Sequence, residues 1–252
     1  MTKIFAIANQ KGGVGKTTTA INLATAMAAI NKKTLIIDAD PQSNASTGMG
    51  ISEKDRDPCL YKMLTKGSFD KESIKKTFIP NLDIITSTND LAASEIELAE
   101  VDKRESRLKT ILNKINKYDY FFIDCPPALG LLTINSLVAA SSVIVPLQCE
   151  FFALEGLSAL TKTIHSIKEN FNNDLNIEGV VLTMYDKRNT LTLLVESDVR
   201  EYFAEKVYRT TIPRNVTIAE APSHGKPVLV YDTNCVGSKA YIELAKEVIL
   251  KQ

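Results

Sequence analysis

The stretch NQKGGVGKTT, residues 9–18, decides the fold of this chain. It nearly matches the phosphate-binding loop pattern G-x-x-x-x-G-K-[ST], with Gln10 where the first glycine of that pattern belongs. It also carries a second lysine, Lys11, close to the expected Lys16. An apolar run precedes the stretch and a helical pattern follows it, which is the context that makes a phosphate loop credible. The stretch therefore predicts an α/β nucleotide-binding fold whose loop carries one lysine more than the pattern needs.

The loop residues are suited to bind the phosphates of a nucleotide. Glycines let backbone N–H groups turn toward an anion without obstruction by a Cβ atom, and the N-terminus of the following helix adds partial positive charge. Lys16 is placed to reach the β- and γ-phosphates, and the Thr17 hydroxyl is placed to bind Mg²⁺. The residues predicted to bind ATP in this loop, besides Lys11, are Gly12, Gly13, Val14, Gly15, Lys16, Thr17 and Thr18.

Three aspartates follow apolar runs and are candidates for a magnesium site. Asp124 ends the run FFID, which is the Walker B position at the carboxyl end of a strand. Asp38 and Asp40 end an earlier run in IDADPQ. They are only two residues apart, and we expect them to have different roles. A capping or turn role is the alternative for each.

Short apolar runs alternate with stretches of helical period along the chain. The runs have little polar alternation, as expected for strands of a parallel sheet that is covered on both faces. We predict strands at 3–8, 34–39, 82–86, 120–125, 143–147 and 179–184, and helices at 16–30, 106–118 and 154–171. Segment 43–80 is read as helices and loops. The pattern predicts an α/β fold with a mostly parallel central sheet and helices on both faces, in a single domain over 1–252.

The composition excludes some functional classes. Thirty Lys and Arg residues balance thirty Asp and Glu residues, so the formal net charge is zero and contact with nucleic acid would need a local basic patch. No apolar run is long enough for a transmembrane helix, and no signal-peptide pattern is found, so we expect a cytoplasmic protein. Reduced thiols are expected, with a zinc or iron–sulfur site as the alternative, at Cys59, Cys125, Cys149 and Cys235.

Several motifs, in order, resemble the ParA/MinD family of deviant Walker A ATPases, and most of all its chromosomal ParA (Soj) partitioning proteins. They are KGGVGKTT (11–18), IDADPQSN (37–44), FFIDCPPALGLLT (121–133), PLQCEFFALEGL (146–157), IPRNVTIAEAPSHGKP (212–227) and AYIELAKEV (240–248). The resemblance covers nearly the whole chain. It implies a P-loop NTPase fold, Mg²⁺-dependent hydrolysis of ATP, and an ATP-bound homodimer with the nucleotides sandwiched at its interface.

The resemblance also implies roles for individual residues. Lys11 matches the signature lysine that reaches the phosphates bound by the other subunit, where it would stabilise charge as an arginine finger does; a solvated surface lysine is the alternative. Asp40 matches the residue that orients the attacking water, and Asp38 one that acts near Mg²⁺. The implied catalytic residues are Lys11, Lys16 and Asp40, the metal-site residues are Thr17, Asp38 and Asp124, and the adenine contacts are Met184, Pro213 and Asn215. Met184 could equally belong to the core.

Proteins of the ParA type bind double-stranded DNA nonspecifically as ATP dimers and hydrolyse ATP when a ParB-type partner triggers them, so the resemblance implies a nucleoid-associated protein. The candidate phosphate contacts are Lys187, Arg188, Arg214 and Lys226, with Arg209 as an extension. A solvated face is the alternative for each. Thr217 and Val236 stand where relatives often carry basic residues, which puts the strength of DNA binding in question. The early position of the loop leaves no room for a preceding helix-turn-helix module, so operator binding is not expected.

Three other functions are compatible with parts of the sequence. A MinD-like membrane-cycling ATPase would use the C-terminal amphipathic pattern SKAYIELAKEVILKQ, 238–252, on a bilayer, but its polar face mixes lysines with glutamates instead of being strongly basic. A reductase or cluster-assembly ATPase would need cysteines in ligand spacing. A nucleotide-dependent scaffold without catalysis would not need a water-orienting carboxylate.

Overall fold

The central sheet is built from strands that end at a common edge. In the computed structural model, which describes residues 2–251, the strands are β1 (Lys3–Ile7), β2 (Thr34–Asp38), β3 (Ile74–Lys76), β4 (Leu82–Ile85), β5 (Tyr120–Asp124), β6 (Ser142–Gln148) and β7 (Asn176–Thr183). Over this range they form a seven-stranded sheet of order β3-β4-β2-β5-β1-β6-β7. All neighbouring pairs are parallel except β3 with β4. The prediction of a mostly parallel sheet is confirmed.

The edge strand β3 was not predicted. It lies inside segment 43–80, which the sequence indicated only as helices and loops. Its residues, Ile-Lys-Lys, are half-buried or exposed, because an edge strand that pairs on one side does not need a continuous apolar run. The six predicted strands are all present, and the largest difference is at β7, which begins at Asn176 instead of 179.

Helices cover both faces of this sheet. They are α1 (Lys16–Ala29), α2 (Asn44–Gly48), α3 (Leu60–Lys66), α4 (Ser94–Glu97), α5 (Arg107–Leu112), α6 (Leu131–Ala139), α7 (Ala153–Asn170), α8 (Thr190–Phe203), α9 (Val216–Glu220), α10 (Val228–Tyr231) and α11 (Val236–Leu250). Helices α1 and α7 match the predicted ranges to within one residue at each end. The predicted helix at 106–118 is shorter, since α5 ends at Leu112 and the chain then turns so that Tyr118 can donate a hydrogen bond to Asp83 at 2.6 Å.

Two apolar clusters, one on each side of the sheet, explain the continuous apolar strands. One cluster packs α1 and α11 on the face that carries Phe5 and Phe122. The other packs α3, α5, α6, α7 and α8 on the opposite face, around Phe121 and Ile123. Successive residues of β5 therefore enter different clusters, as strand geometry requires. The loops that follow β1, β2 and β5 are left at the same edge of the sheet, where ligands of parallel α/β folds bind.

Helix α11 packs its apolar face into the core. Tyr241, Leu244, Ala245 and Val248 are buried in the cluster shared with α1, and the Tyr241 hydroxyl lies 3.4 Å from Thr19 Oγ1. The face that a membrane-surface helix would present is thus covered by protein. Within residues 2–251, no helix has the length and apolar character needed to cross a membrane.

Replacing Phe122 by Ala should destabilise the fold strongly. The ring is fully buried in the central strand β5, with its centroid 5.5 Å from that of Phe5. Because the neighbouring strands cannot collapse into the cavity, we expect a loss of about 3–5 kcal/mol in the free energy of unfolding, measured with urea. As a matched control, Phe78→Ala removes a ring that is 53% exposed and should cost less than about 1 kcal/mol. Equal losses for the two variants would contradict this account of the core.

Candidate nucleotide site

The loop between β1 and α1 has the backbone conformation of an anion-binding turn. Gly13 and Gly15 have φ values of 74° and 87°, a region that residues with a Cβ atom rarely adopt. Helix α1 begins at Lys16 with Gly15 as its N-cap, and no side chain caps it. Its first N–H groups are therefore directed toward whatever anion lies in the loop.

Two hydrogen-bonding residues outside the motif hold this loop in place. Asn9 donates from Nδ2 to the Pro146 carbonyl at 2.7 Å and accepts from the Lys11 N–H at 3.0 Å. Thr183, the last residue of β7, donates from Oγ1 to the Val14 carbonyl at 2.8 Å. The loop is thus fixed to β6 and β7. Sequence reasoning missed both residues, because their contacts with Pro146 and Val14 join positions far apart in the chain and belong to no local motif.

Lys16 is a buried cation at the floor of the site. Its Nζ donates to the Lys11 carbonyl at 3.1 Å. Burial lowers the pKa of Lys16, while the charges of Asp124, Cys125 and Asp40 act in the opposite direction. The ammonium group is therefore held between desolvation, which disfavours its charge, and nearby carboxylates, which favour it.

Asp38 is buried and engaged with the protein instead of facing the cleft. Its Oδ2 accepts from the Ser46 N–H at 2.8 Å and from the Ser46 hydroxyl at 2.7 Å, and its Oδ1 accepts from the Asp40 N–H at 3.3 Å. Burial raises the pKa of Asp38 in spite of these bonds. The structure thus places Asp38 where it fixes the start of α2, beside Asp124, its register partner on β5.

Asp124 has surroundings suited to binding a cation. Both of its carboxylate oxygens are buried, and neither has a hydrogen-bond partner among the described residues. Burial, and then the charge of Asp38, raise the pKa of Asp124 well above its usual value. The Thr17 hydroxyl lowers this pKa from nearby, although the two groups form no hydrogen bond of normal geometry.

These residues fit a hydrated magnesium ion. An unpartnered buried carboxylate is costly unless a positive group neutralises it. Across residues 2–251, no group of three or more His, Cys, Asp or Glu side chains is arranged to hold a metal by itself. A cation here would draw its other ligands from the Thr17 hydroxyl, water and a bound polyphosphate, which is the usual mode for Mg²⁺.

Asp40 lines the cleft in front of the loop. The cleft has a volume of about 450 Å³ and is bordered by the loop glycines, Lys16, Thr17, Thr18 and Asp40. Asp40 Oδ1 accepts from the Gln42 N–H at 2.9 Å, and the side chain is nearly buried. Asp38 and Asp40 therefore have different surroundings. Residues two apart on a strand share a face, but β2 ends at Asp38 and Asp40 lies beyond it.

A second pocket lies beside the loop and brings the three predicted adenine contacts together. It has a volume of about 270 Å³ and shares Gly15, Thr18 and Met184, among others, with the cleft. Its further lining includes Pro213 and Asn215. Asn215 also accepts from the Ile218 N–H at 3.1 Å and so caps α9. The pocket therefore adjoins the loop at Gly15 and Thr18.

The four predicted DNA contacts do not share one surface pocket. Lys187 and Arg188 lie in the exposed loop between β7 and α8, near Val236. Arg188 forms an ion pair with Asp186 at 2.8 Å, which lowers the pKa of Asp186 to about 2. Arg214 lines the second pocket, called the adenine-side pocket below after its predicted contacts. Lys226 lines the cleft in front of the loop, called the phosphate cleft below.

The cysteines have the surroundings of packed side chains. Cys59, Cys125 and Cys149 are buried and Cys235 is partly buried, and all four thiols are free. Burial raises the pKa of Cys125 to about 12 and that of Cys149 to about 11. Because the thiolate is the form that binds metals, these two environments oppose ligation.

Comparison with known proteins gives consistent matches along the chain. Residues 2–177 match a family model described as an AAA domain. The chain is 52% identical over 249 residues to the sporulation initiation inhibitor protein Soj of Bacillus subtilis, with 98% of each chain covered. It is 53% identical over 253 residues to the chromosome partitioning protein ParA of Caulobacter vibrioides, with coverage of 99% of this chain and 95% of that protein.

A solved structure supports the fold and the nature of the site. Cobyrinic acid a,c-diamide synthase from Mycobacterium smegmatis, with bound ADP and magnesium, matches with a TM-score of 0.86 at 32% identity, covering 99% of this chain and 94% of that one. That protein carries another name, but the partitioning proteins are considerably more similar in sequence. The chain belongs to the ParA/Soj family of chromosome-partitioning ATPases.

Proposed function

We propose that this chain, as a single ATPase domain over 1–252, forms an ATP-bound homodimer that binds double-stranded DNA nonspecifically on the nucleoid. A ParB-type partner then stimulates hydrolysis and releases the DNA. ATP is the substrate and Mg²⁺ the metal cofactor. The observation that carries the proposal is the separation of the two lysines of the loop. Lys16 lines the phosphate cleft, whereas the Lys11 ammonium group lies outside it on Glu150.

Lys11 is suited to act on a neighbouring subunit. Its backbone is fixed by the Asn9 side chain and by Lys16 Nζ, so only its side chain can move far. The side chain is 41% exposed and extends from the shoulder of the loop. In the proposed dimer it reaches the phosphates of the other subunit and stabilises the charge that develops during phosphoryl transfer.

Within one subunit, the loop and Asp124 prepare the γ-phosphate for transfer. The N–H groups at the start of α1 and Lys16 bind the phosphate oxygens, and the Thr17 hydroxyl and Asp124 hold hydrated Mg²⁺. Mg²⁺ bound there neutralises charge on the β- and γ-phosphate oxygens. Asp38 acts on the metal site through Asp124, because it is hydrogen-bonded to Ser46 and is the register partner of Asp124.

Asp40 orients the attacking water in this proposal. It is the carboxylate that lines the cleft, and its Oδ1 is already fixed by the Gln42 N–H. Its other oxygen is the one that accepts a hydrogen bond from water. Met184, Pro213 and Asn215 receive the adenine in the neighbouring pocket, where Met184 adopts a φ of 49° at the end of β7.

DNA binding is assigned to the loop that carries Lys187 and Arg188. Both side chains are exposed, and each can neutralise one phosphate without reading sequence. Since the chain has no net charge, a single subunit presents only a small basic surface. Two copies of the loop in an ATP dimer would double it, which links DNA affinity to nucleotide state.

The proposed function is tested by ATPase assays with DNA and a ParB-type partner, added separately and together. We expect synergistic stimulation, together with DNA binding that requires ATP and weakens steeply as salt rises from about 50 to about 200 mM. Anionic liposomes serve as the control, because no membrane contact is proposed. Stimulation by liposomes in place of DNA, or DNA binding that ignores the nucleotide, would contradict the proposal.

Lys11→Ala should separate nucleotide binding from turnover. Because the cis site keeps Lys16 and the loop, we expect nearly unchanged ATP binding to the monomer. Dimerisation in the presence of ATP, measured by sedimentation, should be lost. Stimulated ATP turnover should fall about 10³-fold, as when an arginine finger is removed. Lys32→Ala, an exposed lysine after α1, is the control and should behave as wild type. Normal dimerisation by Lys11→Ala would refute the role in trans.

Asp124→Asn should stabilise the nucleotide-free protein while impairing catalysis. The folded-state pKa of Asp124 lies above its unfolded value, so wild-type stability falls as pH rises from the unfolded pKa through the raised folded pKa. Asparagine cannot ionise and lacks this loss. We expect a higher melting temperature than wild type at pH 8, and a difference that shrinks toward pH 4. ATPase activity with Mg²⁺ should fall about 10- to 100-fold.

The control for this variant is Asp198→Asn, which changes an exposed carboxylate on α8. It should alter neither the melting temperature at pH 8 nor the activity. If Asp124→Asn melts below wild type at every pH, the carboxylate stabilises the nucleotide-free fold. The conclusion that the ionised Asp124 destabilises that fold would then be wrong.

A further inference from the structure

The ion pair between Lys11 and Glu150 connects the phosphate loop to a segment that the proposed function does not yet use. Lys11 Nζ donates to Glu150 Oε2, and the two side chains are 41% and 44% exposed. Glu150 lies between the end of β6 at Gln148 and the start of α7 at Ala153. Its N–H donates to the Gln148 carbonyl and its own carbonyl accepts from the Ala153 N–H, both at 2.9 Å. The carboxylate is thus presented by a tight turn.

The residues next to Glu150 indicate a surface that becomes covered. Phe151 and Phe152 are 76% and 65% exposed, and their rings meet edge to face with centroids 5.1 Å apart. Two adjacent aromatic rings in solvent are unusual for a surface turn unless another molecule covers them. The covering molecule consistent with the proposed function is a second copy of this chain, because Lys11 extends from the same side.

We propose that Glu150 is a positioning residue that holds Lys11 within its own subunit until the dimer forms. This inference rests on the proposed action of Lys11 in trans. The ammonium group must exchange the Glu150 carboxylate for the phosphates of the other subunit, so Glu150 opposes dimerisation. A polyphosphate carries more negative charge than one carboxylate and therefore binds the ammonium group more strongly than Glu150 does. A partner site without nucleotide provides no such anion, so Lys11 then stays on Glu150.

The loop supplies a connection between this exchange and the subunit's own nucleotide. Lys16 Nζ donates to the carbonyl of Lys11. The lysine that serves its own subunit is thus hydrogen-bonded to the backbone of the lysine proposed to serve the other subunit. An ammonium group has three N–H donors, so Lys16 can bind a phosphate of its own site while it keeps this hydrogen bond to the Lys11 backbone. A nucleotide bound in one subunit is thus connected, through Lys16, to the backbone of the lysine that serves the other.

The effect should be modest, because both partners are in contact with solvent. Exposed ion pairs contribute little in water and are screened by salt. Removing the Glu150 charge should therefore tighten the ATP dimer about two- to fivefold at low salt, and the gain should vanish at high salt. An effect of this size suits a contact that delays an assembly without preventing it.

The experiment compares Glu150→Gln with Glu155→Gln in the full-length protein. Glu155 is an exposed glutamate in the first turn of α7, and no ion pair of it is found among the described residues. Glu155→Gln therefore changes the net charge by the same amount as Glu150→Gln without removing an ion pair. The first measurement is the rate at which acetic anhydride labels Lys11 in the nucleotide-free monomer, read by mass spectrometry. We expect about two- to fivefold faster labelling in Glu150→Gln only, since its ammonium group is no longer bound to a carboxylate.

The second measurement is the dissociation constant of the dimer, obtained by sedimentation with a non-hydrolysable ATP analogue at low and high salt. Glu150→Gln should dimerise more tightly than wild type and Glu155→Gln should not. Unchanged labelling would show that the ion pair does not form in solution and would overturn the inference. Faster labelling with unchanged or weaker dimerisation would also overturn it, because the pair would then not hold Lys11 back. A wild-type protein that stays monomeric with the analogue would overturn the proposed function itself.

Discussion

The buried, unpartnered carboxylate of Asp124 is the constraint on which the rest of the site depends. It ends the central strand β5, with Asp38 opposite it on β2 and Ile7 on β1. An apolar sheet surrounds a charge that has no hydrogen-bond partner among the described residues. Such a group is costly to the free protein, and the two apolar clusters on either face supply the stability that tolerates it. Lys16 and Thr17 of the loop lie close to this carboxylate, where a cation and phosphates would relieve that cost.

The parts of the structure that the sequence predicts are those where one residue's environment is set by its neighbours in the chain. Central strands are buried on both faces and so appear as apolar runs, and the loop has fixed spacing. Strand β3 was missed because an edge strand is half-exposed, and α5 is shorter because Tyr118 reaches Asp83. The contacts of Asn9 with Pro146 and of Lys11 with Glu150 span more than half the chain, so no local pattern predicts them.

Asp38 and Asp40 show how the end of a strand gives two nearby carboxylates different surroundings. Residues two apart on a strand would face the same way, but Asp40 lies beyond the end of the strand. Only the fold shows that Ser46 occupies Asp38 with two hydrogen bonds, leaving Asp40 as the carboxylate that lines the cleft. The negative charge of Asp38 still acts at a distance, because it raises the pKa of Asp124. A carboxylate that is bonded within the protein can thus set the electrostatics of a neighbour that has no hydrogen-bond partner among the described residues.

The hydrogen bond from Thr183 to Val14 has a consequence for how the chain tolerates change. Thr183 ends β7, and the few residues that follow it include Met184 of the adenine-side pocket and Arg188 of the basic loop. One short piece of backbone therefore carries the loop's anchor and the residues proposed to contact the base and the DNA. An inserted or deleted residue here would shift the pocket and the basic loop together relative to the phosphates. The length of this segment, more than the identity of its side chains, is what fixes the distance between the two sites.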